Sequence, residues 1–113
     1  MLHPVMRLGD LGEGEQALVR VEDRTVLIVK VFGQFYATSA LCPHAGRSLA
    51  GGSLVEHSLT CPGHGARFDV RTGACETDPT LAPLDRFPVV LEGGKVCVDV
   101  SAAPKPDDGG LRF

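Results

Sequence analysis

This sequence has no apolar run approaching the roughly 20 residues needed to cross a bilayer. It has no block of lysine or arginine, and eleven basic residues stand against fourteen acidic ones for a formal net charge of −3. That is not the profile of a nucleic-acid-binding chain. Met1-Leu2-His3-Pro4 lacks the charged segment and apolar stretch of a signal peptide. No internal repeat and no long helical pattern occurs. Gly9, Gly12 and Gly14 do not form a phosphate-binding fingerprint, because no strand-to-helix context follows and Asp10, Glu13 and Glu15 would repel phosphate. Neither a nucleophile–base constellation nor an additional His/carboxylate set for a mononuclear iron is visible. These absences lead us to expect a soluble cytoplasmic protein that is not itself an enzyme. At 113 residues it is one domain with a modest core, small enough for a metal centre to add useful stability.

What the chain does contain is concentrated between Cys42 and His64. Cys42-Pro43-His44-Ala45-Gly46-Arg47 and Cys61-Pro62-Gly63-His64-Gly65-Ala66 each offer one thiolate and one imidazole in a Pro/Gly-rich run. Tetrahedral zinc and a two-iron cluster with Cys on one iron and His on the other both suit these residue types. The single residue between Cys42 and His44 is shorter than the gap usual in a zinc knuckle. No helix is plausible across Pro62, Gly63 and Gly65, so the helix-borne histidines of a Cys2His2 finger have no place. Each loop instead supplies one Cys and one His, as a cluster with unlike irons requires.

At these residues the sequence resembles the Rieske [2Fe–2S] family. Cys-x-His, sixteen residues and Cys-x-x-His fit that family's two ligand loops at all four positions. Phe68-Asp69 with Thr72-Gly73, and Ala82-Pro83-Leu84, extend the resemblance over about Val19 to Val100. It implies an all-β, Rieske-like antiparallel β-sandwich whose ligand loops form a cluster-binding subdomain. It also implies one [2Fe–2S] cluster, with Cys42 and Cys61 on one iron and His44 and His64 on the other. Neutral imidazoles donate less charge than thiolates, so an added electron belongs on the His-bound iron. This lifts the potential above that of an all-cysteine cluster, into a range of about −150 to +300 mV. A ring nitrogen left free on each histidine would couple the potential to pH at alkaline values.

Departures from the family place the expected potential within that range. High-potential members carry an extra, disulfide-paired cysteine in each loop, at positions matching Arg47 and Gly63 here. Their Ser and Tyr hydroxyls beside the cluster match Ala66 and Phe68, neither of which can donate. Fewer hydrogen bonds to sulfur leave its charge less stabilised, so a ferredoxin-like potential near or below about −100 mV is expected. By resemblance, the chain would take electrons from a flavin-dependent NAD(P)H reductase. It would pass them singly to a terminal oxygenase of a ring-hydroxylating dioxygenase system. The other readings are the small subunit of an assimilatory nitrite reductase and a structural zinc module. Arg47, Arg67 and the edges of His44 and His64 are candidates for the docking surface.

The rest reads as scaffold. Strands are expected over Val5 to Leu8, Gln16 to Val21 and Arg24 to Phe32, the last dense enough in β-branched residues to be buried on both faces. A hairpin turn at Gly33-Gln34 leads into Phe35 to Thr38. Leu49 should lie beneath the cluster, and Gly51-Gly52 should reverse the chain into a short hairpin over Leu54 to Thr60. Arg67 to Val70 alternates as a half-buried strand. Thr77 to Pro88 reads as an extended loop whose segment around Pro79 to Pro83 packs, by resemblance, over the cluster. Phe87 to Leu91 and Lys95 to Val100 form a closing hairpin. Residues 1–100 are expected to be the single domain and 101–113 a flexible tail. Cys75 and Cys97 are expected as free thiols, and His3 and His57 as solvated surface histidines.

Overall fold

Short β-rich runs separated by glycine turns produce ten strands among the described residues of the computed structural model, which are 2–22, 24–41, 48–62, 65–77 and 83–100. In chain order they are β1 (Leu2–Arg7), β2 (Gln16–Val21), β3 (Arg24–Val31), β4 (Gln34–Ser39), β5 (Leu54–Val55), β6 (Ser58–Thr60), β7 (Arg67–Asp69), β8 (Arg86–Phe87), β9 (Val89–Glu92) and β10 (Lys95–Asp99). They make three antiparallel sheets, ordered β1-β10-β9, β2-β3-β4-β8 and β5-β6-β7.

The four-stranded sheet is the middle layer, and β3 shows why. Val26, Leu27, Ile28 and Val29 are all fully buried. Alternate residues of a strand point to opposite faces, and here the two faces enter two different cores. Val26 and Ile28 join Val21, Ala37, Phe87, Val98 and Val100 against the β1-β10-β9 sheet. Leu27, Val29 and Val31 join Leu49, Leu59, Cys61, Phe68 and Leu84 against the β5-β6-β7 sheet. The density of β-branched residues in this strand therefore reflects a central position. Full burial of each such side chain stabilises by roughly 1.5–3 kcal/mol.

Several boundaries differ from the sequence reading. The first strand is Leu2–Arg7, and the chain then turns through a 3-10 segment, Leu8–Asp10. The expected strand from Phe87 to Leu91 is two strands in two sheets. Pro88, which has no N–H for a ladder, marks the crossing, with β8 pairing to β4 and β9 to β10. The expected Thr77 to Pro88 loop accordingly contains β8. The proposed tail, 101–113, lies outside the described residues.

The β3–β4 turn is Phe32-Gly33, with φ of 51° and 76°, rather than Gly33-Gln34. A two-residue hairpin with positive φ at both positions is favourable for glycine and strained for phenylalanine. Glu13 holds it in place. Its carboxylate accepts the Phe32 N–H at 2.5 Å and the Gly33 N–H at 2.9 Å. These two amides, Gly33's foremost, hold the Glu13 carboxyl below the usual carboxylate range. The glycine-rich acidic loop is thus a structural clamp. A lowered folded-state pKa contributes stability above the unfolded value, 4.5, and loses it as pH falls through the folded value. Glu13→Ala is therefore expected to lower Tm at neutral pH. Thermal melts across a pH series should show its gap from wild type closing under acid conditions.

Around this turn the solvated histidine expected at position 57 is half-buried instead. Its ring lies edge-on to Phe32 (5.3 Å between centroids) and to Tyr36 (5.7 Å). The β5–β6 turn carries His57 against the β3–β4 turn, a contact between segments distant in sequence. His3 stays near the surface with Nε2 2.8 Å from Glu22 Oε2.

Candidate metal centre

Residues 42–47, 63–64 and 78–82 lie outside the described residues, and the described residues on either side of each close its neck over one buried floor. The first loop, 42–47, opens from an antiparallel bridge between Leu41 and Ser48, reinforced by the Leu49 N–H donating to the Ala40 carbonyl at 2.8 Å. The second opens at Cys61, whose N–H donates to the Ala66 carbonyl at 2.7 Å, while Gly65 N–H donates to the Cys61 carbonyl at 3.0 Å. The third, 78–82, is held on one side by Glu76 N–H on the Arg67 carbonyl (2.7 Å) and on the other by Leu84 N–H on the Gly73 carbonyl (2.7 Å). Residues from all three necks, Ala40, Leu49, Cys61, Ala66, Cys75 and Leu84, belong to one apolar cluster. Leu49 is fully buried in it.

Two glycines permit the close approach of these necks. A Cβ on Gly52 would lie 2.0 Å from the Thr60 carbonyl oxygen and 3.1 Å from that of Leu49. Only a bare Cα lets the chain leaving the first loop pass the chain entering the second. Gly73, at φ +86°, would place a Cβ 2.4 Å from the Leu84 carbonyl oxygen, so it seats the return of the third loop. The turn before Gly73 is fixed by Asp69. Its backbone carbonyl accepts from Gly73 N–H (2.6 Å), and its carboxylate accepts from the Arg71 N–H (2.8 Å) and guanidinium (2.9 and 3.1 Å). Partial burial pushes the Asp69 carboxyl up, but the Arg71 hydrogen bonds outweigh it and hold the group below its usual range. This gives physical content to the Phe68-Asp69 and Thr72-Gly73 pattern: it seats Leu84 on the shared floor, while residues 78–82 of the segment expected to pack over the cluster lie outside the described residues.

Of the four candidate ligands, the structure describes Cys61, fully withdrawn from solvent at its neck. Cys42, His44 and His64 lie outside the described residues, as does Arg47. Cys75 and Cys97 are buried free thiols, and Cys75 Sγ sits 3.4 Å from Thr77 Oγ1. Among the described residues no group of three or more His, Cys, Asp or Glu is placed to hold a metal ion. A thiol seated on an apolar floor, at a neck closed by backbone bonds, fits a two-iron cluster shielded from water. The paired glycines Gly51-Gly52 mark the reversal in the sequence, which carries no signal for the contact with Thr60.

Comparison with known proteins agrees with this geometry. Residues 1–88 match the model of the Rieske [2Fe-2S] domain. The chain is 40% identical over 97 residues to the ferredoxin component of the p-cumate 2,3-dioxygenase system of Pseudomonas putida, covering 84% of this chain and 82% of the relative. Among solved structures it superposes on the ferredoxin of carbazole 1,9a-dioxygenase from Nocardioides aromaticivorans. The TM-score there is 0.82 at 34% identity, covering 93% of this chain and 99% of that one. A complex of reduced oxygenase and oxidized ferredoxin in carbazole 1,9a-dioxygenase contains a chain matching at a TM-score of 0.80 and 35% identity, covering 86% of this chain and 91% of that chain.

Proposed function

The chain belongs to the Rieske [2Fe–2S] domain family, and from that membership we propose that it is a one-electron carrier, the ferredoxin component of a multicomponent oxygenase system. One observation carries the reading. The similarity to ferredoxin components covers 84% of this chain and 82% of the p-cumate relative, and 93% of this chain and 99% of the carbazole dioxygenase ferredoxin. We assign Cys42 and Cys61 to one iron and His44 and His64 to the other. We further place the protein in the cytoplasm and read it as a carrier without catalytic activity of its own. Among the described residues no helix is long and apolar enough to cross a membrane.

When bound, the cluster supplies a site that takes up and releases one electron at a time. The polypeptide's part is to hold, shield and present it. The floor of Leu49, Cys61, Phe68 and Leu84 excludes water from below. The necks of both ligand loops, at Ala40–Leu49 and Cys61–Ala66, close onto that same floor. Arg67, exposed next to the Ala66 neck, is a candidate contact for partners approaching that side. We infer two such partners, a flavin-dependent ferredoxin reductase and a terminal non-haem iron oxygenase.

The test is a reconstituted electron chain. Purified protein should be red-brown, contain iron and acid-labile sulfide in equal amounts, and be reduced by NAD(P)H only when such a reductase is present. Adding a terminal dioxygenase should reoxidise it. Replacing both His44 and His64 should remove the characteristic electron-spin signal. A colourless zinc protein, or co-purification with a large sirohaem subunit, would overturn the proposal.

A further inference from the structure

Gln16 opens β2, paired with Val29 in the middle sheet, well away from the ligand loops in sequence. Its carboxamide nevertheless makes two hydrogen bonds to the stretch that joins the two ligand loops. Nε2 donates to the Gly52 carbonyl at 2.8 Å, and Oε1 accepts from the Gly51 N–H at 3.1 Å. Both ends of one half-buried side chain thus grip the Ala50–Gly51 and Gly52–Ser53 peptide groups, which bracket the reversal that leaves the first ligand loop. The gripped residue, Gly52, is the one pressed on the Thr60 carbonyl, one residue before Cys61. Its own N–H donates to the Leu49 carbonyl at 3.1 Å, one residue beyond the neck at Ser48. Each contact is backbone-to-backbone except the one from Gln16.

We propose that Gln16 is a positioning residue for the metal centre, fixing the separation of the two ligand loops from the rigid middle sheet. This role rests on the Rieske reading of the site and adds to it a group that is not a ligand. The reversal has two bare glycines, Gly51 at φ +86°, and glycine leaves a backbone free to drift unless something outside holds it. The carboxamide supplies that restraint in two directions, because a donor and an acceptor are fixed in one plane. Ligand geometry must be held within about 0.5 Å for a site to keep its properties. Loss of the clamp should therefore be felt at the cluster and not only in global stability.

The variants are Gln16→Met, which keeps the volume and removes both hydrogen bonds, and Gln16→Glu, which keeps only an acceptor for Gly51. Three readouts are compared on cluster-loaded protein well below Tm: midpoint potential, electron-spin g-values, and the rate at which visible absorption is lost. For Gln16→Met we expect a shifted potential, broadened g-values and bleaching faster by about 5- to 30-fold, the factor expected for two net hydrogen bonds. Gln16→Glu should also depart from wild type in these readouts, because a carboxylate oxygen in the place of Nε2 faces and repels the Gly52 carbonyl. If Gln16→Met does not fold, Gln16→Glu carries the test alone, against wild type. Unchanged potential, g-values and bleaching would overturn the inference, including when Tm falls, since that is a merely structural role. Wild-type protein that holds no iron and sulfide would instead overturn the Rieske reading, so the two failures are distinct.

Discussion

Gly52→Ala should leave the protein with about a tenth or less of its wild-type cluster after reconstitution. A methyl at this position would sit 2.0 Å from the Thr60 carbonyl oxygen, whereas an ordinary carbon–oxygen approach is about 3.3 Å or more. The obstacle is backbone, already engaged through the Thr60 N–H on the Ser53 carbonyl at 2.9 Å, so no side-chain rotation relieves it. One neck must move by more than an ångström relative to the other. Cys61, covalently next to Thr60, moves with it. That exceeds the roughly 0.5 Å within which a ligand set must be held. Gly51→Ala is the matched control. Its φ of +86° makes alanine strained, yet nothing lies within 4 Å of the added Cβ. It should cost about 1–2 kcal/mol for the left-handed backbone and retain the cluster. Iron and sulfide assays on both variants, with circular dichroism to confirm folding, check the pair. Equal cluster content in the two would show that the close approach of the necks does not set the ligand geometry.

The contrast between these glycines shows what was legible in the chain and what was not. Composition and local pattern disclosed strands whose environment is local. Arg24–Val31 shows its burial on both faces in its own residues, and Gln16–Val21 its alternation. The ligand pattern was legible because metal chemistry restricts the residue types and spacing to a few combinations. Gly51-Gly52 announced a reversal, since paired glycines do little else in a β-rich chain. What stayed hidden were contacts between segments far apart in sequence. Nothing near Gln16 points to a partner 36 residues on, and nothing near His57 announces Phe32. Pro88 was visible as a residue that cannot donate to a ladder, yet its effect, dividing one apolar run between two sheets, depends on which neighbours the flanking residues find.

The double variant Ala66→Ser with Phe68→Tyr should raise the midpoint potential on the order of 100 mV, toward the middle of the range known for such centres. Both positions belong to the buried floor that contains Cys61. Ala66 faces Cys61 across the second neck, its carbonyl accepting the Cys61 N–H. Phe68 pairs with Leu59, two residues before Cys61, on the same side of the sheet. Neither side chain has a donor, so as sequenced the floor offers the cluster's sulfur atoms no hydroxyl hydrogen bond from these two positions. A hydrogen bond to a charged acceptor contributes about 1.5–3 kcal/mol, against about 1 for a neutral one. Two hydroxyls whose bonds strengthen as negative charge is added therefore favour the reduced state by roughly 2 kcal/mol. For a single electron that is a little under 100 mV, since a tenfold change in the equilibrium is about 59 mV. The single variants should each give about half the shift. An opposing effect decides how the result is interpreted, because a buried hydroxyl that finds no acceptor costs about 1–3 kcal/mol. A variant whose hydroxyls miss the sulfur should melt earlier and keep the wild-type potential. One whose hydroxyls reach it should show the higher potential with little loss of Tm. Voltammetry and thermal melts on the same preparation distinguish these outcomes, and an unchanged potential at full cluster content would mean that the missing donors at positions 66 and 68 do not set the potential.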